Sequence, residues 1–165
     1  MENEKNDIDT DIDLNSEYES LRTKYGLPEF EKMAEDFDIE KISDKESSYL
    51  AREIRRTIHE KLSAYLHLFE TLINPASSPM FVFSFLKSIN GNNKEKIMEI
   101  YKKLSKLQLE VLKLDTIYNE ETEIKFIKKT YEEWQEIKPA VYKLIQTFEN
   151  NIESNGDSKE TSYFG

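Results

Sequence analysis

The chain has 165 residues, no cysteine, four glycines, four prolines and a formal net charge of −10. A chain of this length suits one domain with its own core, and the absence of cysteine excludes a disulfide framework, a thiolate nucleophile and a thiolate metal site. No apolar run approaches the ~20 residues that span a bilayer, and the acidic N-terminus lacks the basic and apolar regions of a signal peptide, so the expectation is a cytoplasmic protein without a membrane partner. Few glycines and prolines among many Lys, Glu, Leu and Ile residues predict helices throughout.

The charge is unevenly placed. Residues 1–46 hold 16 acids and 6 bases, whereas residues 47–165 hold 17 of each. An anionic arm beside a balanced body makes two electrostatic objects, unlike a uniformly acidic surface.

Residues 1–15 alternate acid and aliphatic in Asp7-Ile8-Asp9-Thr10-Asp11-Ile12-Asp13-Leu14. Mutual repulsion predicts a disordered acidic tail, with a peptide ligand for a basic groove as the other reading. It is not an EF-hand loop, because neither the turn glycine nor the closing glutamate is in register. Two short helices follow within 16–38. Ser16 and Glu19 have capping-box spacing, Gly26 stops the first helix and Pro28 starts the second, in which Phe30, Met33, Ala34 and Phe37 form one apolar stripe.

A second capping box, Ser43-x-x-Glu46, opens a long helix over 44–74 that Asn74-Pro75 ends. Leu50, Ile54, Ile58, Leu62, Tyr65, Phe69, Leu72 and Ile73 form its core stripe. On the other side stand Arg52, Arg55, Arg56 and His59, with no acid in the row. Such a row can clamp phosphates or carboxylates through forked donors, or it can be paired within the chain by the 29–46 arm or a neighbouring helix.

The stretch Ser78 to Gly91 reads as a short helix over 79–90, bracketed by Ser78-Pro79 and by Asn90-Gly91 as a left-handed C-cap. Met80, Phe81, Val82, Phe83, Phe85, Leu86 and Ile89 point all around it, which predicts a central hub that the long helices surround. A strand is the competing reading, rejected because no other stretch supplies a pairing partner. Asn93 then caps a helix over 94–116, with Ile97, Ile100, Tyr101, Leu104, Leu107, Val111, Leu112 and Leu114 buried. Lys102, Lys106 and Lys113 share another of its faces with Leu109 and make a second basic row, which reads as solvated helix surface. Glu120, Glu121 and Glu123 suit the positive end of a last helix over 120–150 and read as helix chemistry rather than a metal cluster. Ile127, Tyr131, Trp134, Ile137, Val141, Leu144, Ile145 and Phe148 form that helix's apolar side, and Pro139 predicts a kink or break near residues 135–138. Residues 151–165 read as a flexible tail in which Tyr163-Phe164 can dock onto a partner or the body.

No catalytic constellation emerges. His59-Glu60 lacks the second histidine of a zinc-protease helix, because position 63 is serine. His67 lies about 12 Å further along the helix, too far for joint ligation. Paired Glu-x-x-His motifs, a phosphate-cradling loop and a nucleophile elbow are all missing, so no cofactor is expected. The segments Leu27-Pro28-Glu29-Phe30, Leu50-Ala51-Arg52-Glu53-Ile54-Arg55-Arg56, Ile73-Asn74-Pro75 and Glu132-Glu133-Trp134 together resemble small helical archaeal proteins of no assigned function. The resemblance implies a cytoplasmic location and nothing about activity.

These readings predict an all-α, single-domain bundle of three long helices around the short apolar one, with two short N-terminal helices outside. The expected function is a non-enzymatic interaction module that meets a protein partner, or a second copy of itself, through the row of Arg52, Arg55, Arg56 and His59 or through an exposed helix groove, with Lys102, Lys106 and Lys113 as further candidate surface residues. The alternative is a nucleic-acid-associated protein whose basic rows the acidic arm masks.

Overall fold

The computed structural model describes residues 13–42, 49–77, 80–86 and 89–157. It is all-α, and no strand occurs among the described residues. The helices are α1 (Leu14–Tyr25), α2 (Phe30–Phe37), α3 (Leu50–Ile73), α4 (Met80–Leu86), α5 (Gly91–Leu114) and α6 (Glu120–Asp157), with short 3-10 turns at Ile39–Lys41 and Pro75–Ser77. Residues 1–12, the Ser43-x-x-Glu46 box, the Ser78-Pro79 bracket and Tyr163-Phe164 lie outside the described residues.

The short N-terminal helices pack on the body. Asp13 caps α1, accepting from the Asn15 N–H at 3.4 Å, so the helix begins ahead of Ser16. Gly26 ends it at φ 68°, a left-handed conformation that glycine adopts without a Cβ penalty, and its N–H donates to the Arg22 carbonyl at 2.7 Å. Tyr18 is buried and donates its hydroxyl to the Pro28 carbonyl at 2.9 Å, tying α1 to the turn before α2. Burial raises the Tyr18 pKa and keeps that donor protonated. Met33 and Phe37 are buried on α2, with Phe30 and Ala34 half-buried beside them, as the stripe predicted.

The hub is α3, not α4. It packs against α2, α4, α5 and α6, and buries Leu50, Ala51, Ile54, Arg55, Ile58, Leu62, Phe69 and Leu72. Ile73, expected in the stripe, is exposed at the helix end. α4 is a side element that touches α3 and α6. Val82 and Phe85, one turn apart, are buried, and Phe85 stacks on Phe148 at 4.9 Å between centroids, but Phe83 is 47% exposed. A two-turn helix held on one side by two longer ones hides only the residues that face them. The all-round apolar pattern therefore does not make α4 a hub.

Asn90 opens α5 instead of closing α4. Its side chain accepts from the Asn93 N–H at 2.9 Å, and the helix starts at Gly91 rather than at 94. The same residue type favours both helix ends, and here the donors of the longer helix claim it. α6 is continuous from Glu120 to Asp157, so no break occurs at Pro139. Pro139 and Gln135 are both exposed, so the carbonyl deprived of its usual donor lies on the solvent side, where water can satisfy it. Asn119 starts α6, accepting from the Thr122 N–H at 3.0 Å.

Cross-links fix the direction of the long helices. Arg55 meets Asp115 while Ser63 meets Gln108, so α3 and α5 run antiparallel. Lys103 meets Glu136 and Lys129 meets Glu110, so α5 and α6 are antiparallel too. The N-termini of α3 and α6 and the C-terminus of α5 therefore share one end of the bundle. α1 is pinned to that end, where Lys24 and Tyr25 reach Glu120 at 2.9 and 2.6 Å.

Candidate interaction face

The arginine row does not form an outward surface. Arg55 is 1% exposed and is held by two helices, its Nε donating to Glu123 Oε2 at 2.6 Å and a terminal nitrogen donating to Asp115 Oδ1 at 2.7 Å. Arg55 stands one turn from Ala51 and from Ile58, both buried, so it edges the core stripe instead of opposing it. Arg52 is mostly buried. Its guanidinium lies over the Tyr118 ring at 4.6 Å and near Tyr49 at 5.9 Å, and its Nε is 3.7 Å from Glu123 Oε1. Only Arg56 is well exposed, and it pairs with Glu53 one turn away at 2.8 Å. His59 bridges to α5, with Nε2 2.6 Å from Gln108 Oε1 and 3.1 Å from Ser63 Oγ.

The partners of this row are acids that the sequence placed in other roles. Glu123 belongs to the first turn of α6 but serves as the buried counter-ion of Arg55. Asp115 caps the C-terminus of α5, where a carboxylate opposes the helix dipole, and the Arg55 cation offsets that conflict. The spacing of Glu120, Glu121 and Glu123 carried no signal for this pairing, because the contact spans 68 residues.

The lysine row is disposed differently. Lys102, Lys106 and Lys113 are exposed, and none has an ion-pair partner among the described residues. Three carboxylates near them are taken, Glu99 by Lys96 at 2.9 Å, Glu136 by Lys103 at 2.8 Å, and Glu110 by Lys129, while Glu95, two turns before Lys102, has no ion-pair partner among the described residues. Pairing holds the Glu99 carboxyl below its usual range and raises the Lys103 ammonium above its own. The uncompensated charge on this face is therefore positive.

Exposed apolar side chains lie in and beyond this row. Leu109 is 61% exposed, Leu112, expected in the core, is 56% exposed, and Ile117 in the following turn is 76% exposed. Residues 102, 106, 109 and 113 fall in one helical row, about 16 Å long. Beside Lys113 the row opens into a groove of about 260 Å³ between α5 and α6, lined by Leu114, Phe126, Thr122, Lys113, Lys125 and the paired Lys129 and Glu110.

A larger cleft of about 840 Å³ lies between α3 and the segment after α2, lined by Phe37, Asp38, Lys41, Arg56, Lys61 and Tyr65 among others. Its rim is largely self-paired. Lys61 and Lys41 hold Asp38 at 2.9 and 3.1 Å and keep its carboxyl below the usual range, and Arg56 is occupied by Glu53. The cleft presents no excess of one charge to a ligand. Among the described residues, no group of three acidic or histidine side chains is arranged to hold a metal ion, and no helix is long and apolar enough to cross a membrane. No family model matches the chain, and neither a curated protein nor a solved structure matches it.

Proposed function

We propose that the protein is a non-enzymatic interaction module that binds an acidic polypeptide carrying aliphatic side chains along the outer face of α5. The observation that supports this reading is exposed Leu109 within the row of Lys102, Lys106 and Lys113, lysines without an ion-pair partner among the described residues, with exposed Leu112 on the flank of the same helix. Apolar side chains left in water within a charged patch of one sign favour a partner that supplies both carboxylates and hydrocarbon. A nucleic-acid backbone would use the ammonium groups but leave the leucines uncovered.

The test compares the wild-type chain with K102E/K106E/K113E and with L109D, each first shown to be folded by circular dichroism. Used as bait in an extract of the native cell, the wild type retains a discrete acidic polypeptide and both variants lose it. Equal retention by the variants would remove α5 from the interaction. A low-salt gel shift with DNA and RNA that disappears in K102E/K106E/K113E but persists in L109D would replace this reading with the nucleic-acid one.

A further inference from the structure

The lysine row of α5 ends at Lys113, and Lys113 also lines the groove between α5 and α6. A polypeptide lying along the row therefore meets the groove at its end. We propose that this groove is the anchor point of the α5 face and takes one aromatic side chain of the acidic partner, with a carboxylate on each side of it in the partner's sequence. The inference rests on reading α5 as a protein-binding face.

Three observations carry it. The first is the layering of the groove. Leu114 is half-buried and Phe126 is buried, so hydrocarbon continuous with the core reaches the lining. The lysine side chains add their methylene stems and carry their ammonium groups toward water. An aromatic ring matches both layers, because its body displaces water from hydrocarbon and its face attracts a nearby ammonium.

The second observation is charge. Among the described residues, Lys113, Lys125 and Lys129 line the groove against one carboxylate, Glu110, which Lys129 already holds. Glu133 also approaches Lys129, at 3.9 Å. Glu121, one turn before Lys125, forms no ion pair among the described residues, but it is not part of the lining. Lys113 on the α5 wall and Lys125 on the α6 wall are both exposed and without an ion-pair partner among the described residues. Each wall is thus left to a carboxylate that the occupant brings.

The third observation is size. The groove holds about 260 Å³, short of the roughly 300–1,000 Å³ of sites that enclose a small-molecule ligand. It suits one large side chain presented by a polypeptide, the usual form of an interface anchor.

The experiment observes the backbone amides of the isotope-labelled full chain by NMR during titration with the synthetic peptide Asp-Glu-Phe-Glu-Asp. Signals of Leu114, Thr122 and Phe126 are expected to shift saturably. Asp-Glu-Ala-Glu-Asp should bind at least about tenfold more weakly, because the anchor is missing. Lys-Lys-Phe-Lys-Lys should leave these signals in place. Thr122→Trp, which fills the groove from its lining, should bind the phenylalanine and alanine peptides alike, and Lys125→Glu should weaken the phenylalanine peptide. Amide dispersion shows that each variant is folded.

Equal binding of the phenylalanine and alanine peptides to the wild type, with shifts spread along residues 102–113, removes the groove as anchor but upholds α5 as a binding face. Equal shifts from the lysine-flanked peptide overturn the preference for an acidic partner. Shifts from phenylacetate as large as those from the peptide assign the groove to a small carboxylic acid, and shifts on concentrating the peptide-free chain assign it to a second copy; either overturns the proposal. No shift in the groove or along the lysine row removes both this inference and the reading beneath it.

Discussion

Arg55 and Glu123, 68 residues apart, meet as a fully buried ion pair, with Nε 2.6 Å from Oε2 and exposures of 1% and 0%. The pair joins α3 to α6 at the end of the bundle where α5 terminates, and Asp115 adds a third charge from that terminus. A charge taken from water is costly unless its partner remains, so removing one member is worse than removing both. Arg55→Met alone or Glu123→Leu alone should each lower the unfolding free energy by about 3–5 kcal/mol. Arg55→Met combined with Glu123→Leu should lose much less than the sum of the single losses. Urea denaturation of the four-member cycle checks this, and additive losses would show that the pair is not coupled.

It follows that reversing Arg52, Arg55 and Arg56 together should unfold the protein rather than clear a binding surface. K102E/K106E/K113E, by contrast, should change stability by no more than about 0.5 kcal/mol, because the three side chains are exposed and unpaired among the described residues. Thermal melts of the two triple variants separate these expectations.

Glu120 predicts a pH dependence. The Tyr25 hydroxyl and the Lys24 ammonium hold its carboxyl below the usual range. The folded state therefore binds this proton less readily than the unfolded state. The contribution is present above the ordinary glutamate pKa of about 4.3 and is lost as pH falls through the lowered folded value. Urea midpoints measured between pH 6 and pH 3 should fall more steeply in the wild type than in E120Q. Parallel curves would show that the contact does not couple to folding.

Pro139 predicts a gain. It lies inside a continuous helix, is exposed, and leaves the backbone acceptor four residues earlier without its helical donor. Pro139→Ala restores that bond and should stabilise the protein by roughly 1–3 kcal/mol. A thermal midpoint that stays level or drops would mean that the proline ring makes a compensating contact.

Gly26 predicts a loss of another kind. An added Cβ would meet nothing nearer than the flexible end of Lys128 at 3.8 Å, so the space tolerates alanine while the backbone at φ 68° does not. Gly26→Ala should cost about 1 kcal/mol, and Gly26→Asn less, because asparagine enters the left-handed region more readily. Equal stability of all three would indicate that the turn changes conformation.

The order of the helices, the stop at Gly26, the stripe on α2 and most of the buried positions on α3, α5 and α6 were legible in the sequence, because periodicity and caps are local properties of a helix. The lysine row was legible for the same reason: residues at three- and four-residue spacing share a face whatever surrounds them. The tertiary structure alone decided what each face meets. Arg55 lies at the margin of its stripe, where the wheel is ambiguous, and became core only because Glu123 and Asp115 arrive from other helices to satisfy it. Phe83 and Leu112 look like core residues and are exposed, since a helix buries only the sides its neighbours reach. Charge and hydropathy belong to the residue, but desolvation belongs to the neighbours, and that is why a row of arginines became an internal brace and a row of lysines an open face.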